Sequence, residues 1–292
     1  MTIRTVGVLG CGLMGSGIAQ VSAVAGYDVI VRDLDQGLLA RGRAAIEGSL
    51  AKFVEKGKLE AAARDAALRR LRSTTALEEL QGCDLIIEAV TEDLELKTKL
   101  WTSLDQLCPE EALFASNTSS LSIISMARVT KRPDRFLGLH FFNPVPLMPL
   151  VEVVRTVATA PEPLAAAMDF VGRLGKQPIA AKDSAGFIVN LLLIPYLLDA
   201  VRAVERGVAS VPDIDAGMKL GCGHPMGPLT LLDFVGLDTS LKVGEILYEE
   251  FREPRYAPPP LLKRMVLAGW FGKKSGKGFY DYSVDPPGVT PL

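Results

Sequence analysis

Residues 137–154, LGLHFFNPVPLMPLVEVV, carry two ionisable side chains, His140 and Glu152, in an otherwise apolar run. The chain has only one other histidine, His224, so His140 is not drawn from a pool of surface imidazoles. An imidazole, with an ordinary pKa of about 6.5, can take or return a proton near neutral pH. A carboxylate on its other ring nitrogen would fix the tautomer and stabilise the imidazolium. The same histidine also reads as a strand-end side chain satisfied by a backbone carbonyl, because buried polar groups usually find a local partner. The chemical reading needs a site around it.

A second group of residues supplies part of one. VGVLGCGLMGSGIAQ sets Gly10, Gly12 and Gly15 in G-x-G-x-x-G register, after a strand-like run and at the opening of a helix. In that context the first glycine permits a tight turn, the second lets backbone approach a pyrophosphate, and the third lets helix and strand pack closely. Leu13 and Met14 lie inside the loop and join the glycines as cofactor-binding candidates. Asp33 closes the next strand-like run, 18 residues after Gly15, where a carboxylate can accept hydrogen bonds from an adenosine ribose. A 2′-phosphate there would meet like charge, so NAD is favoured over NADP. Arg32 is the counter-signal, although on an extended strand its side chain points to the opposite face.

The elements that position these residues alternate. Residues 3–9, 27–33, 84–90, 112–116, 135–141 and 149–155 read as short buried strands, separated mostly by helical stretches. That pattern predicts an α/β fold, a Rossmann-like, doubly wound, mostly parallel sheet, over residues 1–183. From about residue 184 to 292 the sequence becomes long apolar helical segments broken by GCGHPMGP and EPRYAPPP, which predicts a smaller all-α domain. Residues 35–72, helical and charged, are longer than one crossover requires and are expected to project as an arm. On it Ser49, Lys52 and Lys56 fall at i, i+3 and i+7 on one helix face, with Lys58 just beyond. Spacing alone does not distinguish a binding face from a solvated one.

Composition excludes several classes. The 292 residues are 48% hydrophobic and 23% charged, with a formal net charge of −2, as expected of an ordinary soluble protein of about two domains. No basic block with interleaved aromatics points to nucleic acid. Cys11, Cys83, Cys108 and Cys222 are far apart with no CxxC spacing, which suits a reducing cytoplasm and implies no metal site. The opening MTIRTVGVLGCG does not read as a signal peptide. GFIVNLLLIPYLL, interrupted by Asn190 and Pro195, is shorter than the roughly 20 residues a bilayer requires, so no membrane association is expected.

In a doubly wound sheet, ligands sit beyond the carboxyl ends of the strands. Asp33, Glu92, residues 117–120 and residues 140–143 all fall at or just past those ends. A cofactor-bearing sheet edge with one imidazole and nearby hydroxyl and amide groups suits hydride transfer coupled to proton transfer. SNTSSLSI, GLHFFNPVPLMPLVEVV, KDSAGFIVN and GKKSGKGFYDY, together with the glycine loop, closely resemble the 3-hydroxyacyl-CoA dehydrogenases, in order over nearly the whole chain. The resemblance implies His140 as catalytic base and acid, Glu152 as its partner, Ser119 as a contact to both substrate and nicotinamide, and Asn190 on the substrate side. It places Glu92, Lys97, Asn143 and Lys274 at cofactor contacts, and Ser49 and Lys56 at contacts to coenzyme A.

Nothing resembles the hydratase portion of multifunctional relatives, and one helical second domain is present. The resemblance therefore implies a monofunctional NAD enzyme acting on short-chain substrates such as 3-hydroxybutyryl-CoA and acetoacetyl-CoA, and a homodimer formed through the C-terminal domain. The L-gulonate 3-dehydrogenase and lambda-crystallin group shares the glycine loop and the histidine but uses no coenzyme A. The double aromatic in HFFNP and the lysine-bearing arm count against it. A non-catalytic NAD-binding protein would have no use for a paired acid and base.

Overall fold

Val, Ile and Leu dominate the central strands because β-branched and apolar side chains fit a pleated surface that is covered on both faces. The structure, a computed structural model, describes residues 2–291, and the chain divides into two compact units, Met1–Phe187 and Ile188–Leu292. The first runs β1 (Thr5–Leu9), α1 (Leu13–Val24), β2 (Asp28–Arg32), α2 (Gln36–Glu55), α3 (Ala61–Arg70), β3 (Leu71–Thr74), β4 (Leu85–Glu88), α4 (Leu94–Leu107), β5 (Leu113–Ser116), α5 (Ile123–Ala127), β6 (Phe136–Phe141), β7 (Leu150–Arg155), α6 (Pro161–Arg173) and β8 (Gln177–Lys182). Its eight strands form one sheet in the order β3-β2-β1-β4-β5-β6-β7-β8. All neighbours pair parallel except β6 and β7, which are antiparallel. The expected doubly wound, mostly parallel sheet is therefore present.

Alternation along each strand sorts the side chains into two layers. Val6, Val8, Ile18, Val29, Val31, Leu137, Leu139 and Val153 pack together on one side of the sheet. On the other, Trp101 of α4 meets Phe114 at a tilt and Phe136 edge-to-face, at 4.9 and 4.7 Å between ring centroids, joined by Ile86 and Val154. Complete burial of each large side chain contributes about 1.5–3 kcal/mol. Glu88, Ser116, His140 and Glu152 alternate onto this second face, so the aromatic layer gives way to a polar one at the strand ends.

The charged stretch after β2 is two helices followed by a strand, not helix throughout. Asp35 caps α2 by accepting from Leu38 N at 2.9 Å, and Leu39, Gly42, Ile46 and Leu50 bury one face of the helix up to residue 50. From residue 51 to 66 no side chain is buried and most are exposed, with half-buried Leu59 packing that distal stretch onto the core. A side chain at Gly42 would overlap the Cys11 thiol. That contact lays α2 directly on the glycine loop.

The second unit contains α7 (Val189–Glu205), α8 (Val211–Cys222), α9 (Pro228–Val235), α10 (Leu237–Phe251), α11 (Pro260–Leu267) and a short antiparallel ribbon of β9 (Tyr280–Asp281) and β10 (Gly288–Val289). Two buried aspartates tie it together. Asp215 accepts from Leu229 N and Thr230 N at the start of α9, at 2.7 and 3.0 Å. Asp233 accepts from Phe279 N and Tyr280 N, both at 2.9 Å. Among the described residues no helix is long and apolar enough to cross a membrane, and no cluster of His, Cys, Asp and Glu could hold a metal ion.

Candidate active site

The glycine loop is built as a cradle. Gly10 has φ +90°, a backbone conformation L side chains rarely adopt, and a Cβ there would lie 2.7 Å from the Ala89 carbonyl oxygen. A Cβ at Gly15 would overlap the Gly10 carbonyl oxygen, whereas one at Gly12 has no heavy atom within 4 Å. No side chain caps α1 and its first turn holds no acidic residue, so the N–H groups there face outward, as diphosphate binding requires. Leu13, 71% exposed, flanks the opening, and Met14 packs on the core edge. Asp33 accepts from Cys11 N at 2.6 Å and Leu34 N at 2.7 Å. Each carboxylate oxygen retains capacity for a ribose hydroxyl. Arg32 is turned away, its Nε donating to Thr75 O at 3.2 Å. These residues fit a dinucleotide with an unmodified ribose.

Twelve residues apart in sequence, His140 and Glu152 are direct cross-strand partners in the β6–β7 ladder. His140 Nδ1 lies 2.6 Å from Glu152 Oε2, with Glu152 wholly buried and His140 4% exposed. An ionised carboxylate only accepts, so the ring proton sits on Nδ1 and Nε2 carries the lone pair. Nε2 is 3.0 Å from Ser119 Oγ. Phe142 and Phe187 flank the imidazole at 4.5 and 5.5 Å between ring centroids. Phe187 holds φ 49°, a left-handed conformation that costs a bulky residue about 1–3 kcal/mol and is found where surrounding structure over-determines it. Asn117 Oδ1 accepts from Phe141 N at 2.9 Å and pins the end of β6 to the Ser119 loop.

A second polar cluster supports that loop. Glu88, fully buried, accepts from Lys97 Nζ at 2.6 Å, Ser116 Oγ at 2.7 Å and Val90 N at 2.8 Å. Lys97 is 1% exposed and also lies 3.2 Å from Glu92, so its ammonium is turned onto two carboxylates. Glu92 receives Thr118 Oγ1, Ser119 N and Ser120 Oγ. Burial would raise its pKa, but Lys97 and the hydrogen bonds from Thr118 and Ser119 outweigh it and hold the carboxyl below the usual range. Glu88, Ser116 and Phe187 escaped sequence reasoning. The one available signal was an acidic residue, Glu88, inside the apolar run DLIIEAV.

The arm brings Ser49, Lys52, Phe53, Lys56 and Lys58 around a cavity of about 520 Å³, closed on the other side by Pro144, Pro146 and Leu147. Lysine ammoniums on one side and apolar walls on the other suit a ligand with both phosphate and aliphatic parts. Asn143 is exposed at the end of the histidine strand. In the second unit, Asn190 opens α7 and Lys274 is ion-paired with Asp238 at 2.6 Å.

The fold and these sites define an NAD-binding oxidoreductase. Residues 5–184 match the 3-hydroxyacyl-CoA dehydrogenase NAD binding domain and residues 186–282 the C-terminal domain of the same enzymes. The chain belongs to the 3-hydroxyacyl-CoA dehydrogenase family. It is 51% identical over 282 residues to a 3-hydroxybutyryl-CoA dehydrogenase of Mycobacterium tuberculosis, covering 96% of this chain and 99% of the relative. It is 46% identical over 287 residues to the mitochondrial hydroxyacyl-coenzyme A dehydrogenase of Homo sapiens, covering 96% and 91%. The crystal structure of (S)-3-hydroxybutyryl-CoA dehydrogenase from Ralstonia eutropha superposes with a TM-score of 0.94 at 46% identity, covering 97% of this chain and all of that one.

Proposed function

We propose that this protein interconverts (S)-3-hydroxyacyl-CoA and 3-oxoacyl-CoA with NAD(H), with 3-hydroxybutyryl-CoA and acetoacetyl-CoA as its short-chain pair. The observation that carries the reading is the buried pair of His140 Nδ1 and Glu152 Oε2 at 2.6 Å, which leaves Nε2 beside Ser119 Oγ. In oxidation Nε2 takes the 3-hydroxyl proton as the carbonyl forms, and the imidazolium is held by Glu152. In reduction the same nitrogen returns the proton. Gly10, Gly12 and Gly15 would hold NAD⁺, which when bound would supply the acceptor for the hydride from C3. Ser119 orients the substrate oxygen, Asn190 belongs to the substrate side, and Phe142 and Phe187 limit water at the base. Glu92, Asn143 and Lys274 serve as cofactor contacts, with Lys97 acting through Glu92. Residues 1–183 form the cofactor domain and 184–292 the substrate and dimerisation domain. Exposed Leu192, Leu220 and Phe234 of the second unit support a homodimer, and four free cysteines support a cytoplasmic location.

Purified protein is expected to oxidise NADH with acetoacetyl-CoA and to leave L-gulonate untouched. The reverse result sinks the reading. NADH should exceed NADPH in kcat/KM by about tenfold or more, since a 2′-phosphate would approach Asp33 and like charges at close range are costly. Asp33→Ala narrows that gap mainly by weakening NADH. Equal efficiency with both cofactors in the wild type refutes the role of Asp33.

Lys56 lies exposed on the arm cavity, and Ser49 and Lys56 are the contacts proposed for coenzyme A. Lys56→Ala is expected to raise KM for acetoacetyl-CoA more than it lowers kcat, because a contact remote from the reacting carbon supplies mostly uniform binding. The difference should shrink as salt rises. Steady-state kinetics at low and high ionic strength provide the check, and a mutant identical to wild type at low salt removes Lys56 from the site.

A further inference from the structure

Between His140 and the arm runs the loop of residues 142–149, which contributes Pro144, Pro146 and Leu147 to the arm cavity. We propose that Lys176, on the turn between α6 and β8, is a positioning residue that holds this loop as the wall of the coenzyme A pocket. The inference rests on the coenzyme A reading given above. Lys176 Nζ donates to Val145 O at 2.6 Å and to Met148 O at 2.7 Å. Between those carbonyls the chain turns back on itself, with Leu147 N and Met148 N both donating to Pro144 O at 2.9 and 3.0 Å.

From the other side the loop is held by packing. Val145 is 2% exposed, and a Cβ at Gly17 of α1 would lie 2.7 Å from Val145 Cβ. With one flank on the cofactor helix and its carbonyls on Lys176, the remaining flank of the loop faces the cavity. Residues 143, 144, 147 and 149 are exposed, so few contacts of their own fix the wall. An ammonium supplies what they lack, since charge-assisted hydrogen bonds are roughly twice as strong as neutral ones and a compact donor with several N–H groups can serve two carbonyls. Burial lowers the pKa of Lys176, consistent with an ammonium withdrawn from water onto backbone.

The prediction separates a pocket wall from a general structural tie. In Lys176→Met the Kd for free coenzyme A, read by calorimetry, is expected to rise about tenfold, because the wall must then be ordered at the expense of binding. Lys176→Arg, which keeps donors, restores it to within about threefold. The ratio of kcat/KM for acetoacetyl-CoA to that for acetoacetyl-N-acetylcysteamine, which lacks the adenosine and phosphates, falls about tenfold in Lys176→Met. Equal losses on the two thioesters, or an unmoved coenzyme A affinity, overturn the proposal. Should Lys176→Met fail to fold, Leu147→Ala decides, since Leu147 is 59% exposed; an unchanged ratio there overturns the wall. The calorimetry needs no turnover, so a wild type that binds coenzyme A but ignores acetoacetyl-CoA refutes the activity alone.

Discussion

His140→Gln is expected to lower kcat by about 10² to 10⁴, the usual cost of losing a general acid or base, while NADH still binds. The reason lies in the ladder. His140 faces Glu152 across β6 and β7 with Nδ1 and Oε2 2.6 Å apart, and an amide in place of the ring offers no nitrogen that can accept a hydroxyl proton at neutral pH. Glu152→Gln should lose a large part of the same factor, because an amide can present N–H to Nδ1 and favour the wrong tautomer. Residues that act as one unit are not additive, so the double mutant should be little worse than His140→Gln. Rates with acetoacetyl-CoA, alongside NADH titration by fluorescence, provide the measurement. Near-normal turnover in His140→Gln refutes the assignment, and fully multiplicative losses would mean the two side chains do not work as a pair.

Gly15→Ala should cost both the cofactor and the fold, whereas Gly12→Ala should cost the cofactor alone. At Gly15 the new methyl overlaps the Gly10 carbonyl oxygen and lies 2.9 Å from its carbon. Those atoms are backbone and cannot swing away, so the loop or the start of α1 must move. A displacement of about 1 Å in a positioning element can cost on the order of 10²-fold, and NADH affinity is expected to fall by about that much together with a lowered Tm. At Gly12 nothing lies within 4 Å, so the methyl occupies only the space through which a pyrophosphate would approach. Calorimetric melting and NADH titration of the two variants test this. A Gly15→Ala protein with wild-type Tm and affinity would show that the close approach of Gly10 and Gly15 is unimportant.

The doubly wound class was legible because hydrophobic runs in the centre of the sheet are nearly continuous and the glycine register follows one of them. Edge strands were not. β3 is LRST with only its two ends buried, and β8, QPIAAK, has a single fully buried residue, so neither presents an apolar run. The antiparallel turn between β6 and β7 was hidden for a different reason: residues 142–149 contain three prolines and no hairpin dipeptide, so nothing local announced that the strands reverse. His140 and Glu152 stood out in the sequence as lone ionisable residues in an apolar stretch. Their 2.6 Å approach depends on that reversal. Glu88 and Lys97 are 9 positions apart and both shut off from solvent. Composition has no means of distinguishing such a buried pair from two surface charges.

The fit of Cys11 against Gly42 turns a thiol into a clock. Burial, and then the charge of Asp33, push the Cys11 thiol up to about 11, and burial likewise takes Cys83 to about 12 and Cys108 to about 11. The thiolate is the nucleophile that attacks an alkylating reagent, so these three stay silent while the fold is closed, and exposed Cys222 reacts first. Cys11 then becomes available when α2 lifts from the glycine loop. Its alkylation rate under native conditions reports the free energy of that local opening, and slowing by NAD⁺ or by coenzyme A would show which ligand clamps the arm to the cofactor loop.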